Sequence, residues 1–362
     1  MRSVAAFHVP RAISGSRNLI GNSKLSSSGF SKSMHILAFS LGQNRHGGTN
    51  RSMQLHSLAK QASKRTINPP PNNVALRQAI IRVPLVFKYF QYILKIGLRH
   101  FTLRGFIVTL IEGAWLDHKL QESPHSEISI ELASGKTMLL AALLAASGRE
   151  YIVFPQNVEF LVPSQAQKYF SSPASEYHVE RYIYTKALRI FAISEFDAAV
   201  IKCLGASNVS VLPYSPVEGY REELLMISAM RTYTVKRDIL ILGSAGNIPT
   251  KKGIKSLLSL IRSSCPSKEF VLAGYGTDVF RDDAPQNVHV LGAVSSESLC
   301  QLMASCKAVL VYQPQTSGIL TRLIDAELAG IPTYVLGEYL QANDSSLKTT
   351  KRIYSLDELF VE

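Results

Sequence analysis

Residues 308–336 read AVLVYQPQTSGILTRLIDAELAGIPTYVL, and this stretch decides the fold class of the chain. The pattern predicts, in order, a buried strand, a polar loop, a helix and a second strand, at residues 308–312, 313–318, 320–329 and 333–336. Apolar runs bounded by turn residues are typical of a parallel sheet covered on both faces. A loop that opens a helix offers free backbone amides and the positive end of the helix dipole, which suit an anion such as phosphate. The stretch therefore predicts a βαβ unit with an anion-binding loop.

Strands and helices alternate over most of the chain. The alternation runs from residue 126 to residue 212 and resumes at residue 238, and an earlier strand, MHILAFSL, begins at Met34. Such alternation predicts an α/β fold with doubly wound sheets. We predict a flexible or targeting extension, a first Rossmann-like domain, a charged helical linker and a second Rossmann-like domain, over residues 1–33, 34–216, 217–236 and 237–362.

The positive charge of the chain is concentrated at one end. The 362 residues include 46% hydrophobic side chains, which is enough for two domain cores and excludes disorder throughout. The net charge is +12, and 16 Lys and Arg residues precede the first acidic residue, Glu112. The rest of the chain has 23 basic and 27 acidic residues, a net charge of −4. A one-sided basic domain indicates an anionic partner, either membrane headgroups or nucleic acid, or else a surface with scattered lysines.

The segment at residues 74–111 alternates apolar clusters with basic residues. A basic amphipathic helix with Phe and Tyr on its apolar side can lie in a membrane interface. An ordinary core helix with a solvated basic face has a similar pattern, so both interpretations stay open. No run approaches the ~20 apolar residues that span a bilayer. We predict that the protein is not an integral membrane protein, with an anionic membrane surface as an alternative partner of residues 74–111.

The extension at residues 1–33 is rich in Ser and Arg and lacks both acidic residues and a long apolar core, so it is not a secretory signal. A transit peptide, a flexible extension and a start codon upstream of Met34 stay open, and the last two are favoured. The four cysteines include no C-x-x-C pair, which predicts reduced thiols, no zinc site and no disulfide framework. We predict a cytoplasmic protein, with membrane association as the alternative.

Local patterns predict two helix starts in the first half of the chain. Ser194 precedes an apolar helical run and has Asp197 three residues later, which predicts a capping arrangement. The glycine pair at residues 47–48 follows the first strand and lets the backbone approach a ligand. Thr49 or Asn50 is then predicted to cap the following helix.

The stretch at residues 308–336 resembles the donor-site segment of GT-B glycosyltransferases, in the family-4-like group (glycosyl transferases group 1). That segment reads Glu, seven residues, Glu, and shortly afterwards Gly-x-Pro. Gly330 and Pro332 fix the register, so the second acidic position is Asp325 and the first is Ser317. A branch of the group reads Gly-x-x-Thr-Arg instead, which this chain matches at Gly318, Thr321 and Arg322.

The resemblance covers residues 126–337 with correctly ordered motifs, and before them only a strand and a Gly-Gly loop. It implies a GT-B fold in which two Rossmann-like domains face each other across a cleft, the first for the acceptor and the second for the sugar nucleotide. Lys252 and Gly253 match the Lys-Gly step whose lysine contacts the donor diphosphate. Gln156 stands where many members have a His, and because Gln does not titrate, no general base is assigned.

The implied activity is transfer of a sugar from a nucleotide-diphosphate sugar to a glycan, lipid-linked or small-molecule acceptor, with retention of configuration. The implied catalytic residues are Glu159, Arg322 and Lys252. The implied donor site consists of Ser244, Asn247, Lys252, Gly274, Gly292, Ala293, Ser317, Gly318, Ile319, Thr321, Arg322 and Asp325. The implied acceptor site consists of Arg45, Gly47, Gly48, Asn157 and Ser194, with His46 and Arg51 beside it.

No metal and no tightly bound cofactor are expected, because the sugar nucleotide is itself the donor substrate. Two alternatives stay open. Ser317 and Gln156 lack the ionisable groups usual at their positions, which favours a non-catalytic GT-B subunit for binding or assembly. A membrane or nucleic-acid binding module using residues 74–111 is the third hypothesis, and nucleic acid is the less favoured partner.

Overall fold

A computed structural model describes residues 34–37, 47–61, 66–67, 83–121, 127–162, 168–234, 238–264, 268–313, 317–337 and 347–360. The predicted extension at residues 1–33 lies outside the described residues, and so do Arg45 and His46.

The first sheet contains six parallel strands. They are β1 (Met34–Leu37), β2 (Thr66–Ile67), β3 (Glu127–Leu132), β4 (Tyr151–Pro155), β5 (Arg189–Ala192) and β6 (Val209–Val211). Their order in the sheet is β2-β1-β3-β4-β5-β6, so the direction of winding reverses between β1 and β3. This arrangement is the predicted doubly wound α/β sheet.

Six helices of the described residues belong to the first half. They are α1 (Gly47–Gln61), α2 (Val83–Ile96), α3 (Leu103–Gln121), α4 (Gly135–Ser147), α5 (Pro173–Lys186) and α6 (Glu195–Cys203). Helices α2 and α3 pack on α4. Short 3-10 turns occur at Leu98–His100 and Glu159–Leu161. Helix α4 is the central element, because nearly all of its residues are buried and form one core with β3, β4, α2 and α3. It begins after Ser134 and ends at Gly148, which adopts the left-handed conformation favoured after helices.

The second sheet also contains six parallel strands. They are β7 (Ile239–Leu242), β8 (Phe270–Ala273), β9 (Val288–Gly292), β10 (Ala308–Tyr312), β11 (Thr333–Leu336) and β12 (Thr350–Ile353). Their order is β12-β11-β10-β7-β8-β9, so the winding reverses between β7 and β10. Strands β10 and β11 have the predicted bounds and pair in parallel, which confirms the βαβ unit.

Both faces of the second sheet are buried. Val309 and Val311 belong to the core on one face, whereas Leu310 belongs to the core on the other. Four helices cover the sheet, namely α7 (Glu218–Arg231), α8 (Ile248–Ser264), α9 (Ser296–Ser305) and α10 (Thr321–Leu328). Short 3-10 turns occur at Thr277–Phe280 and Leu356–Phe360. The continuous apolar runs in the sequence are explained by this two-sided burial.

Helix α7, which lies in the predicted linker, is part of the second core. Leu224 and Ile227 are buried in the same cluster as β10 and α10, and α7 packs against α9 and α10. The buried guanidinium of Arg231 donates to the carbonyl oxygens of Met303 and Cys306 at 2.8 Å each, which satisfies carbonyl groups at the end of α9. The helix between the sheets therefore packs as part of the second core.

One predicted helix start is wrong. Helix α1 begins at Gly47, so Thr49 and Asn50 lie inside its first turn and are not its N-cap. Both side chains are buried. The glycine pair itself thus forms the start of the helix, which a pattern that treats glycine as a turn residue misses.

Among the described helices, none is both long and apolar enough to cross a bilayer.

The packing of α7 predicts unequal effects for two adjacent leucines. Leu224→Ala should lower the free energy of unfolding by about 2–5 kcal/mol, because it leaves a cavity under a fully buried side chain. Leu225→Ala is the matched control, since Leu225 is exposed and should change stability by no more than about 0.5 kcal/mol. Urea denaturation measures both, and equal small losses would show that α7 is not part of the core.

Candidate functional site

The two sheets meet at the carboxyl ends of their strands. In open parallel sheets, ligands bind outside those ends, where the winding reverses. In the second sheet this point lies between β7 and β10, so the loops at residues 243–247 and 313–320 flank it. Five of the twelve predicted donor residues lie in these loops, namely Ser244, Asn247, Ser317, Gly318 and Ile319. The topology therefore places these five residues at the carboxyl edge of the second sheet, and their contact with a donor stays a prediction.

Close backbone packing fixes the loop after β7. Gly274 has a φ of +146°, and a Cβ at this position would overlap the carbonyl oxygen of Gly243. The amide of Gly274 donates to the carbonyl of Gly292 at 2.8 Å, and the amide of Ala245 donates to the carbonyl of Tyr275 at 2.9 Å. Only glycine at position 274 lets the ends of β7, β8 and β9 approach this closely.

Two polar residues predicted to contact the donor stabilise this loop. The Ser244 hydroxyl accepts from the amide of Gly246 at 3.2 Å. The Asn247 side-chain oxygen accepts from the amide and the hydroxyl of Thr250 at 3.1 Å each, so Asn247 caps α8. Their direct contact with a donor stays a prediction.

Two predicted donor contacts are cations on the helices α10 and α8. Arg322, in the first turn of α10, donates to the side-chain oxygen of Gln313 at 3.3 Å. Another nitrogen of its guanidinium lies 3.3 Å from the position that a Cβ on Gly243 would take, so the fork lies beside the loop after β7. Lys252 lies exposed in the second turn of α8. The buried Gln313 orients the arginine, and sequence patterns did not indicate this role.

Further predicted donor residues lie at the start of α10 and at the end of β9. Thr321 is buried at the start of α10, and Ile319 is half-buried in the preceding loop. Gly292 ends β9, and Ala293 follows it on the surface. Residues 314–316 of the loop lie outside the described part of the chain.

A buried carboxylate joins the two halves. Asp197, at the start of α6, accepts from the Ser317 hydroxyl at 2.5 Å and from the Gly318 amide at 3.1 Å. It also accepts from the Ser194 hydroxyl at 2.6 Å, and Ser194 caps α6 as predicted. The Ser317 hydroxyl in turn accepts from the amide of Val158. Ser317 and Gly318, both predicted to contact the donor, thus bind the opposite half of the molecule.

Gly318 lies against the loop after β4 at this contact. Its φ is +80°, and a Cβ there would overlap the side-chain oxygen of Asn157. Asn157, a predicted acceptor residue, donates from its amide nitrogen to the Glu159 carboxylate at 3.3 Å. The absence of a side chain at position 318 therefore permits the close approach of the two halves.

Glu159 belongs to a buried acidic cluster with Glu176 and Glu180. Burial and the neighbouring Glu180 raise the pKa of Glu159 to about 8. Burial also raises the pKa of Glu180 to about 7, although the amides of Glu159 and Phe160 and the Tyr184 hydroxyl donate to it. The Glu159 carboxyl is fully buried beside α5 and does not face an acceptor in this arrangement. The predicted role of Glu159 toward an acceptor therefore needs a different arrangement of the turn.

The structure corrects the interpretation of Arg51. Its side chain is buried, and it donates to the carbonyl oxygens of Leu212 and Pro213 at 2.8 and 3.2 Å and to Gln54 at 2.5 Å. Burial lowers the pKa of Arg51 to about 10. Arg51 is thus not an exposed acceptor contact, because it connects α1 to the chain that leaves β6.

A polar group at the ends of β3 and β4 was not predicted. The Gln156 amide donates to the buried Glu131 carboxylate at 2.6 Å and to the Ser52 hydroxyl at 3.2 Å, and Ser52 donates to Glu131 at 2.8 Å. Glu131 lies within an apolar strand pattern, where an acidic residue is a signal that could have been noticed. Gly47 and Gly48 begin α1 and contribute backbone only.

Asp325 connects α10 to the segment between the sheets. Its two carboxylate oxygens accept from the Tyr214 hydroxyl at 3.2 Å and from the Tyr220 hydroxyl at 3.1 Å. Tyr214 follows β6, and Tyr220 lies in α7. A ribose contact by Asp325 stays a prediction, and it would share oxygens that these tyrosines already use.

The contact between Ser317 and Asp197 predicts a repulsion in one variant. Ser317→Glu places a second carboxylate against Asp197 in a buried site and should destabilise the protein by about 2–4 kcal/mol. Ser317→Ala, which removes only the hydroxyl, should cost about 1–2 kcal/mol. Unfolding free energies of the double-mutant cycle with Asp197→Asn measure the coupling, and additive values would refute the contact.

The acidic cluster predicts that stability falls as the pH rises. A raised pKa means that the folded state binds the proton more tightly than the unfolded state. The contribution of the Glu159 proton to the free energy of unfolding is therefore complete below about pH 4.5 and is lost as the pH rises toward 8. Glu159→Gln should flatten the slope and stabilise the protein by about 1–3 kcal/mol at pH 8.5. Denaturation at several pH values measures how the free energy of unfolding depends on pH, and the exposed Glu150→Gln is the control. An unchanged slope in Glu159→Gln would contradict the assignment.

Comparison with known proteins extends this geometry. No protein-family model matches the chain, and no curated protein matches its sequence. Among solved structures, the chain is similar to Anabaena Alr3699/HepE in complex with UDP-glucose, with 13% identity and a TM-score of 0.53 over 90% of this chain and 87% of that one. It is also similar to sucrose-phosphate synthase (tll1590) from Thermosynechococcus elongatus, with 12% identity and a TM-score of 0.54 over 86% and 82% of the two chains.

A third similar structure is the UDP-GlcNAc 2-epimerase of Methanocaldococcus jannaschii in complex with UDP-GlcNAc and UDP. Its identity is 11% and its TM-score is 0.50, over 89% of this chain and 88% of that one. At such identities the likeness shows the fold. The two parallel sheets that meet at the carboxyl ends of their strands, together with these similarities, confirm that the chain has the α/β GT-B fold, with two Rossmann-like domains facing across a cleft.

Proposed function

We propose that this protein is a glycosyltransferase that moves a sugar from a nucleotide-diphosphate sugar to an acceptor. The observation that carries the proposal is the position of Arg322, whose fork is oriented by Gln313 beside the loop after β7, at the reversal of strand order. A planar guanidinium suits the paired oxygens of a diphosphate. The complexes of HepE with UDP-glucose and of the epimerase with UDP-GlcNAc and UDP support a sugar nucleotide as the ligand.

Departure of the diphosphate requires stabilisation of negative charge, which this crevice offers. Arg322 and the exposed Lys252 supply two cations, and the starts of α8 and α10 supply backbone amides and helix dipoles. The nucleoside would extend along the ends of β8 and β9, past Gly274 and Gly292 toward Ala293. No metal is required by this proposal, because the cations of the chain neutralise the leaving group.

The described carboxyls near the cleft are already engaged or buried. Glu131 accepts from Gln156 and Ser52, and Asp325 accepts from two tyrosines. Asp197 is engaged by the Ser194 and Ser317 hydroxyls, and Glu159, with a pKa of about 8, is protonated at neutral pH. In this proposal the departing diphosphate takes the proton of the acceptor hydroxyl. Attack on the face from which the diphosphate leaves retains the configuration of the sugar, so we propose a retaining transfer to a glycan, lipid-linked or small-molecule acceptor.

A non-catalytic nucleotide-binding subunit is the second candidate. The specific observation in its favour is that Ser317 and Gly318 bind Asp197 across the cleft, with Gln156 bound to Glu131 nearby. Ser317, Gly318 and Gln156 have no ionisable side chain, so they can hold the two halves together but cannot act as an acid or a base. Sugar-nucleotide turnover separates the two candidates.

Nucleotide binding tests the site. UDP, ADP and GDP are compared by thermal unfolding of the full chain. The cognate diphosphate at 100 times its Kd should raise the free energy of unfolding by about 2.7 kcal/mol, which raises the Tm by several degrees. Arg322→Ala with Lys252→Ala should weaken binding about 100-fold or more, because two charge-assisted contacts are lost. Lys255→Ala, on the same helix, is the matched control.

Three results are informative in this experiment. Unchanged binding in the double variant would overturn the site. Binding without slow hydrolysis or transfer from the matching sugar nucleotide would favour the non-catalytic subunit. No stabilisation by any of the diphosphates would count against both candidates.

A further inference from the structure

A surface of large apolar side chains lies on α2 and α3. Of the 17 large hydrophobic residues that are exposed in the described part of the chain, six fall between residues 87 and 107. They are Phe87, Phe90, Leu94, Leu98, Leu103 and Ile107, and together they form what we call the apolar patch. Phe87 is 71% exposed and Leu103 is 76% exposed. Single exposed apolar residues are ordinary, but such a concentration marks an interaction surface.

The helical spacing explains why these side chains share one face. Phe87, Phe90 and Leu94 follow one another at intervals of three and four residues, the spacing of one helix face. The opposite face of α2 packs into the core through Tyr89 and Ile93. An ordinary core helix would present mainly polar residues to solvent, whereas α2 exposes two Phe and one Leu among its exposed Lys and Gln residues.

Helices α2 and α3 present their apolar side chains together. The rings of Phe90 and Phe106 form an edge-to-face pair with centroids 6.2 Å apart, which joins the exposed face of α2 to α3. Leu103 and Ile107 are one turn apart on α3 and flank Phe106. The two helices pack side by side, so the apolar patch extends over both.

Among charged residues, the stretch of chain that carries the apolar patch contains basic residues only. Residues 83–111 contain four basic residues and no Asp or Glu. Arg99 and Arg104 are exposed and lie between the α2 and α3 parts of the patch along the chain. Lys95 is also exposed, whereas Lys88 is paired with Asp117 at 2.8 Å.

We propose that the apolar patch is a docking surface for an anionic lipid bilayer. Aromatic and aliphatic side chains flanked by Arg and Lys fit the boundary between acyl chains and anionic headgroups, into which amphipathic helices insert by about 5–10 Å. The basic residues add electrostatic attraction to the negative leaflet surface. A nucleic acid would use the arginines without requiring Phe87 and Leu103, and a second copy of the chain would meet its own positive charge. This inference does not depend on glycosyl transfer.

The proposed docking surface is connected to the cleft. Glu112, near the middle of α3, forms an ion pair with Lys136 at 2.6 Å, and Lys136 lies in the first turn of α4. Helix α4 begins directly after β3, at the carboxyl edge of the first sheet. From Leu103 to Glu112 the helix rises by about 14 Å. The α3 part of the apolar patch is thus about 14 Å along the helix from Glu112, which pairs with the start of α4 at the carboxyl edge of the first sheet.

Vesicle co-sedimentation of the full chain tests the proposal. Phosphatidylcholine vesicles with and without phosphatidylglycerol are compared at 0.1 and 1 M salt, between which the Debye length falls from about 10 to about 3 Å. We expect binding to the anionic vesicles that weakens at high salt. Phe87→Ser with Leu103→Ser should reduce the partition coefficient about tenfold or more. Arg99→Gln with Arg104→Gln should reduce it about fivefold per charge at low salt.

Matched controls use exposed residues of the second half. Met226→Ser with Tyr354→Ser, and Lys255→Gln with Lys307→Gln, should bind vesicles like the unmodified chain. All substituted positions are exposed, and thermal unfolding verifies that each variant is folded. Supporting results are losses confined to the α2 and α3 variants.

Several outcomes would overturn the proposal. One is equal binding to neutral and anionic vesicles, or none to either. Another is an equal loss in the control variants. Self-association that disappears in Phe87→Ser with Leu103→Ser would instead assign the patch to contact between copies. Oligonucleotide binding that needs Arg99 and Arg104 alone, without vesicle binding, would assign it to nucleic acid.

Discussion

The buried carboxylate of Asp197 holds the edges of the two sheets together. Ser317 and Gly318 come from the loop after β10, and both donate to one oxygen of Asp197, while Ser194 donates to the other. Burial raises the pKa of Asp197, and these hydrogen bonds offset part of that effect by favouring the charged form. Hydrogen bonds to a charged acceptor are among the stronger ones, so a single residue at the start of α6 positions the loop at the cleft.

The same contact explains the departure of the chain from the acidic pattern of GT-B enzymes. A glutamate at position 317 would bring a second carboxylate to Asp197, whereas serine donates to Asp197 and accepts from Val158. Gly318 leaves space for the loop that carries Asn157. Serine at position 317 is thus compatible with the carboxylate of Asp197, whereas an acidic residue there would repel it.

The crevice beside this interface is formed by closely packed backbone and by the guanidinium of Arg322. Gly274 allows the ends of β7, β8 and β9 to approach closely, and Asn247 fixes the start of α8. Arg322 is oriented by Gln313, so its guanidinium is held beside the loop before any ligand arrives. Preorganisation of this kind lowers the cost of binding an anion, and it underlies our proposal of a diphosphate at this crevice. The apolar patch on α2 and α3 differs from the crevice, because it offers exposed apolar side chains next to basic residues.

The sequence by itself determined the alternation of strands and helices, the βαβ unit of β10, α10 and β11, and the cap at Ser194. These features depend on periodicity and on neighbours within a few residues, which a sequence displays directly. Only the tertiary structure decided that Arg51 is buried and that Asp197 meets Ser317, 120 residues along the chain. It also decided that Glu159 is enclosed with Glu180, and that the phenylalanines of α2 face outward. Burial and long-range pairing depend on which surfaces meet, and no local pattern encodes that choice.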